Sequence, residues 1–256
     1  MGNPIKNMVK AAKAGGIVLN KYFGRNLQRI QKTSNHDYYT KADIESEGAI
    51  INILTKSFPT YSIYSEEAGS LRKKSEYTLV VDPLDGTFNF IIGIPNYSIP
   101  IALLRYDKVI ASVIYQPHLD LVYHAEKGNG AYMGKTPLKV NKHYSYAQST
   151  IAYLAGSISS RNYNCTTLKK LEMNGAMRIL TNWSPANDFC LLASGKIEAV
   201  VNYVMEKHDY LAGKLLAQEA GAIITDFKGN IFKQDIKESF IAANGKRIIN
   251  KVIESL

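Results

Sequence analysis

The chain has 256 residues, 46% hydrophobic and 21% charged, enough for a sizeable core in one large domain or two tightly joined small ones. No run of 18 or more apolar residues occurs, so a membrane-spanning helix is not expected, and Gly15–Leu19 is too short and too Gly-broken for a secretory h-region. Net charge is +9, from 31 basic and 22 acidic residues; Cys165 and Cys190, with no CxxC pattern, supply neither a disulfide framework nor a zinc site and suit a cytoplasmic protein with reduced thiols.

The spacing of Ile5, Met8, Val9, Ala12, Leu19, Tyr22 and Phe23 predicts a helix over residues 4–23. Seven basic residues fall in this opening segment: Lys6, Lys10, Lys13, Lys21, Arg25, Arg29 and Lys32. They read as the solvated face of that amphipathic helix, and a basic surface also steers anionic ligands. A second helix is expected over 41–57, opened by Thr40 with Asp43 three residues on, a capping-box spacing, and stopped before Pro59. Tyr61–Tyr64 and Tyr77–Asp82 read as strands. A β region follows over Tyr97–Arg105, Val109–Tyr115, Leu121–Glu126 and Gly130–Met133, with Asp107-Lys108 as a hairpin turn.

The second half alternates. Strands are expected at Ser149–Leu154, Ile179–Leu180, Glu198–Tyr203, Ile223–Asp226 and Phe240–Ala243. Helices are expected at Cys165–Met173, Ala186–Ala193, Asp209–Ala220 and Gly245–Ile253. A seam lies near residue 145, between a mixed front half (1–145) and an alternating back half (146–256) of one 1–256 unit. The whole reads as layered α+β packing.

Chemistry concentrates at strand ends. Asp82-Pro83-Leu84-Asp85-Gly86-Thr87 closes the run Tyr77–Val81 with two carboxylates three apart, then a Gly and a hydroxyl. Such an end delivers two hard oxygen ligands and free N–H groups to one point, which suits a divalent metal holding a phosphate. Glu66-Glu67 follows another strand, and Asp209 opens a helix. If these acids converge, their repulsion itself argues for a cation, and an all-carboxylate set favours Mg²⁺ or Mn²⁺ over zinc.

These residues resemble the inositol monophosphatase family of Mg²⁺-dependent, lithium-sensitive phosphatases along nearly the whole chain. Thr40 to Asp43 looks like its Thr-x-x-Asp helix start, and Ser65-Glu66-Glu67 like its Gly-Glu-Glu. Asp82 to Phe90 matches its Asp-Pro-Leu/Ile-Asp-Gly-Thr-x-Asn-Phe. His208-Asp209-Tyr210-Leu211-Ala212-Gly213 looks like its Trp-Asp-x-Ala-Ala-Gly. The resemblance implies an α-β-α-β-α sandwich of the sugar-phosphatase type, and a homodimer. It also implies two or three Mg²⁺ ions, with Mn²⁺ as substitute, held by Glu66, Asp82, the Leu84 carbonyl, Asp85 and Asp209. Thr87, Asp43 and Glu66 would activate water. Asp85, Gly86, Thr87, Ser184, Ala186 and Asn202 would contact substrate, with the N–H groups of Gly86 and Thr87 holding phosphate at a helix N-terminus.

The departures fall on the substrate side. Asn202 stands where animal members carry a Glu that contacts inositol hydroxyls. Trp183 and Pro185 replace a Gly and an Ala of the segment that lines the sugar pocket, and His208 replaces a Trp. His208 is expected to pack. Trp183, the sole Trp, is expected in the core, with stacking on a base or sugar as the alternative. Glu67 is unassigned, either orienting a neighbour or facing solvent. The expected activity is hydrolysis of a small phosphorylated polyol, foremost inositol 1-phosphate. The rivals are 3′-phosphoadenosine 5′-phosphate, fructose 1,6-bisphosphate or histidinol phosphate on the same chemistry, and an RNA- or transcription-associated binding role. No recognised nucleic-acid motif supports the last.

Overall fold

The computed structural model describes residues 4–32, 38–156, 159–231 and 235–256. The front half runs α1 (Pro4–Tyr22), a ribbon of β1 (Ile30–Gln31) and β2 (Tyr38–Tyr39), α2 (Lys41–Ser57), β3 (Ser62–Ser65), β4 (Gly69–Leu71), β5 (Tyr77–Val81) and α3 (Thr87–Ile92). A meander follows: β6 (Ile99–Arg105), β7 (Lys108–Gln116), β8 (Leu121–Glu126), β9 (Ala131–Met133) and β10 (Thr136–Pro137). The back half runs β11 (Thr150–Ala155), α4 (Arg161–Met173), β12 (Arg178–Leu180), α5 (Pro185–Ala193), β13 (Ala199–Tyr203), α6 (Lys207–Glu219), β14 (Ile223–Thr225), β15 (Phe240–Ala243) and α7 (Lys246–Ile253). No helix of the described residues is long and apolar enough to cross a membrane.

Two sheets form the frame. One has eight strands in the order β10-β9-β8-β7-β6-β5-β3-β4, the other five in the order β12-β11-β13-β15-β14. On one face of the first, Met8, Leu19, Ile50 and Leu54 of α1 and α2 pack on Leu79, Val81, Ile101 and Val113. Between the sheets, Phe189 and Leu192 of α5 and Leu211 and Leu215 of α6 join Val80, Leu104 and Ile114 to Ala152, Val200 and Ala242. On the outer face of the second, Leu171 of α4 and Ile248 and Val252 of α7 cover Ile151, Val201 and Ile241. The alternation along β13, Val200 inward and Val201 outward, follows from the two-residue period of a strand. The resulting layers are α-β-α-β-α, as expected.

Boundaries shift where local chemistry decides them. The β6–β7 turn is Tyr106-Asp107, since Lys108 already pairs with Arg105. Tyr106 takes the left-handed φ of 52° there, and its N–H is held by the Glu76 carbonyl at 2.6 Å. The helix expected from Cys165 begins at Arg161, where the Ser160 hydroxyl accepts from the Tyr163 N–H at 3.3 Å. The helix expected from Asp209 begins two residues earlier, because Glu206 and Asp209 cap each other reciprocally. β4 is absent from the sequence expectation; its Gly69-Ser70-Leu71 has no alternation to betray a strand, and pairing with Ile63–Ser65 makes it one.

Candidate active site

β3 and β5 are parallel neighbours, with Ser65 opposite Val81. Their register places Glu66 beside Asp82, and the Glu66 N–H is bonded to the Val81 carbonyl at 3.2 Å. Ligands sit at the carboxyl ends of such strands. The chain past Asp82 folds back: the Leu84 N–H donates to Asp82 Oδ1 at 2.8 Å, and Asp85 exchanges two backbone bonds with Ser98 at 2.9 Å each. Gly86 then takes φ of 91°, and a Cβ there would lie 2.9 Å from the Asn96 carbonyl. Only glycine fits this turn. It opens α3, six residues closed by Gly93 at φ 82°.

Asp43 joins the fold to the chemistry. Its Oδ2 accepts from the Thr40 N–H (2.8 Å) and hydroxyl (2.7 Å), completing the cap of α2. Its Oδ1 accepts from the Thr87 hydroxyl at 3.1 Å, and that hydroxyl also reaches the Leu84 carbonyl at 3.0 Å. Across the site, α6 brings Asp209 from the other half of the chain. Oxygens of Asp82, Asp85 and Asp209 all lie within 4.8 Å of one another. Asp85 Oδ2 accepts from Ser184 Oγ at 2.6 Å and Ser98 Oγ at 2.9 Å, whereas its buried Oδ1 has no partner. A buried carboxylate oxygen left unsatisfied beside two other carboxylates is what a cation would complete. The donor set is hard oxygen, so Mg²⁺ or Mn²⁺ fits.

The electrostatics agree. Burial, then the neighbouring acids Glu66, Asp85 and Asp209, hold Asp82 well above the ordinary range. Burial does the same to Asp85, against the bonds from Ser184 and Ser98. Burial pushes Asp43 up to about 6 despite the Thr40 bonds. Burial pushes Asp209 up to about 6 as well, opposed by His208 and reinforced by Glu66. A raised carboxylate contributes stability below its unfolded value near 3.8 and loses it as pH climbs through its folded value. The metal-free protein is therefore expected to melt lower at pH 7.5 than at pH 5. Asp43 and Asp209 each contribute on the order of 3 kcal/mol or less. Calorimetry in EDTA at both pH values checks the sign, and saturating Mg²⁺ should reverse it.

Lys32 and His208 both enter the acidic pocket. Lys32, expected on a solvated helix face, instead reaches in from the end of β1. Its Nζ is 2.5 Å from Glu66 Oε1 and also pairs with Glu67. Glu67 thereby gains a structural partner, and its remaining pressure comes from burial and from Glu66, which push it up to about 7. Glu66 itself is held low: burial would raise it, but His208 and Lys32 outweigh that. His208 is buried and packs on the Tyr64 ring as expected, yet its Nε2 also lies 3.6 Å from Asp209 and 3.9 Å from Glu66. Breaking a largely buried ion pair leaves its partner uncompensated, at about 3–5 kcal/mol. The variant Lys32→Met should lower the melting temperature of the metal-free protein. Added Mg²⁺ should raise it more than in the parent, as thermal scans with and without the cation would read.

Other expected contacts divide. Ser184 and Gly86 meet at the site, the Gly86 Cβ position lying 3.2 Å from Ser184 Cβ. Ala186 and Asn202 are fully buried. The Asn202 amide donates to the Glu238 carbonyl at 2.9 Å, while its Oδ1 has no partner. Trp183 is not in the core: it is 56% exposed, with its ring edge-on to Phe88 at 5.3 Å. Lys32 and Ser98 are site neighbours the sequence did not reveal, because each arrives from a segment with no motif of its own.

The family model described as "Inositol monophosphatase family" matches residues 3–256. A "Nus factor SuhB" of Pasteurella multocida is 30% identical, covering 99% of this chain and 96% of that protein. An "Inositol-1-monophosphatase" of Mesorhizobium japonicum is 32% identical, covering 96% and 92%. The crystal structure of the extragenic suppressor protein SuhB from Bartonella henselae superposes with a TM-score of 0.89 at 31% identity, covering 98% of this chain and 96% of that one.

Proposed function

Because the chain belongs to the inositol monophosphatase family, we propose that it is a Mg²⁺-dependent hydrolase of small phosphorylated polyols, inositol 1-phosphate foremost. The observation that carries this reading is the convergence of Asp82, Asp85 and Asp209 around the unpartnered Asp85 Oδ1, beside the Thr87–Asp43 pair. Glu66, Asp82, the Leu84 carbonyl, Asp85 and Asp209 would hold two or three ions. Bound there, the cation lowers the pKa of the attacking water and neutralises charge on the phosphoryl group and the leaving oxygen.

The residues of the chain supply the rest. Thr87 Oγ1 accepts a hydrogen bond from the water and turns its own proton toward Asp43 Oδ1. A carboxylate near 6 is basic enough to hold a proton at neutral pH and acidic enough to release it. The water oxygen bonds to phosphorus as the bond to the alcohol oxygen breaks; the proton the water loses passes through Thr87 to Asp43, and the alcohol oxygen takes up a proton from solvent. N–H groups of the Gly86 turn, at the start of α3, would receive the phosphate oxygens. Ser184 and Ser98 orient Asp85. A cytoplasmic homodimer belongs to the same reading.

The test is phosphate release from inositol 1-phosphate, 3′-phosphoadenosine 5′-phosphate, fructose 1,6-bisphosphate and histidinol phosphate, each with Mg²⁺ and with EDTA. Turnover that needs Mg²⁺ and is fastest on inositol 1-phosphate is expected. A different best substrate keeps the chemistry and moves the specificity. No release from any of the four sinks the reading. The similarity to a protein named a Nus factor, with a net charge of +9, favours a second reading as an RNA-associated protein. Salt-sensitive RNA binding that survives Asp82→Asn would support it, and no binding at low salt would end it.

A further inference from the structure

Resting on the reading of Glu66 and Asp209 as metal ligands, we propose that Nε2 of His208 completes a second cation position with those two carboxylates. Its one nitrogen and two oxygens would select a borderline divalent ion, Zn²⁺ above all, over Mg²⁺.

The three donors arrive from two directions. Glu66 follows β3, while His208 and Asp209 lie in the first turn of α6. His208 Nε2 is 3.6 Å from Asp209 Oδ1 and 3.9 Å from Glu66 Oε1. Both separations are too long for a hydrogen bond. They are slightly wider than the spacing of about 3.4 Å that a tetrahedral ion imposes on nitrogen and oxygen donors held roughly 2.0–2.2 Å from it. An imidazole flanked by two carboxylates and bonded to neither leaves room for an ion among them. Glu66 Oε1 already attracts positive charge, since Lys32 Nζ stands 2.5 Å from it. A divalent ion entering there puts two charges where one now sits.

The imidazole is held in place for this role. His208 is 7% exposed, and its ring lies against the Tyr64 ring. Its other nitrogen, Nδ1, is buried and makes no hydrogen bond, while Glu206 Oε2 stands 3.7 Å away. A histidine that ligates through one nitrogen directs the other toward a carboxylate or carbonyl, and Glu206 is within reach of that task. The cluster of Asp82, Asp85 and Asp209 is made of oxygen alone and suits Mg²⁺. Asp209 would bridge the two positions. Imidazole is what separates them, because it favours zinc, whereas carboxylates suit Mg²⁺.

The test is zinc binding to the Mg²⁺-saturated protein. Titration calorimetry should find a Zn²⁺ ion that excess Mg²⁺ does not displace. X-ray absorption at the zinc edge should show an imidazole at about 2.0 Å. The variant His208→Phe keeps an aromatic ring against Tyr64. It should lose the imidazole signal and bind Zn²⁺ on the order of a hundredfold more weakly. A zinc shell made of oxygens alone in the parent overturns the proposal, whatever the variant does. So does an imidazole signal that persists in His208→Phe, which would place the zinc on another histidine. Either result can stand beside Mg²⁺-dependent phosphate release, which keeps the hydrolase reading. If the parent binds zinc through His208 but releases phosphate from no substrate with Mg²⁺, the hydrolase reading fails and the cation position stands. Binding of neither ion would overturn both.

Discussion

Asp85→Asn is expected to reduce phosphate release on the order of a thousandfold while making the metal-free protein more stable. The two effects share one cause. Asp85 is buried among like charges, and burial with repulsion disfavours its ionised form. An amide in its place keeps an oxygen for the Ser184 and Ser98 hydroxyls and presents an N–H₂ toward Asp82 and Asp209, where a donor is welcome. The fold is thereby retained and the repulsion relieved. The amide cannot neutralise a divalent cation, so the charge stabilisation the cation supplies to the transition state, several kcal/mol, is lost. Thermal scans in EDTA should place the variant about 2–4 °C above the parent for each kcal/mol of relieved repulsion. Mg²⁺ should no longer raise its melting temperature. A variant that stays active, or that unfolds without metal, would remove Asp85 from the proposed ligand set.

Gly213→Ala is expected to destabilise the protein and weaken Mg²⁺ binding at a position that touches neither substrate nor metal. α5 and α6 are packed so closely that a Cβ on Gly213 would lie 2.5 Å from Phe189 Cδ2 and 2.6 Å from its Cβ and Cγ. Phe189 is fully buried between the two sheets, so it has nowhere to swing. Overpacking of this kind costs about 1–3 kcal/mol, and the helix-propensity gain of up to about 1 kcal/mol offsets only part. A fall in melting temperature of about 2–8 °C follows. Gly213 lies one turn beyond Asp209, and α5 follows Ser184, so parting the helices separates Asp209 from Asp85. Isothermal titration with Mg²⁺ reads that loss. Adding Phe189→Leu to the variant should recover stability, a coupling expected only for residues in contact.

What the sequence determined by itself was local. Thr40 and Asp43 mark a helix start because a capping box is complete within four residues. Asp82 to Thr87 reads as a ligand turn because the strand end, both carboxylates, the Gly and the hydroxyl are contiguous. Asp209 is legible because an acid in the first turn of a helix marks its start, three residues after the cap. For these, short-range hydrogen bonding dictates the geometry before any tertiary contact forms. The family resemblance then ordered these pieces into layers that the two sheets reproduce.

The tertiary structure alone decided how distant segments meet. That Glu66 flanks Asp82 depends on parallel pairing of β3 with β5, a register no local pattern specifies. Lys32 was indistinguishable from six other basic residues near the N-terminus until the ribbon of β1 and β2 brought it to Glu66 and Glu67. Asn202, which the family resemblance puts at a substrate position, is committed to the Glu238 carbonyl by the pairing of β13 with β15. Trp183 reads as core material by composition. Its exposure follows from the turn that carries Ser184 to Asp85, which points the neighbouring side chain outward. Non-local pairing sets each of these outcomes, and side-chain chemistry read one residue at a time carries no information about it.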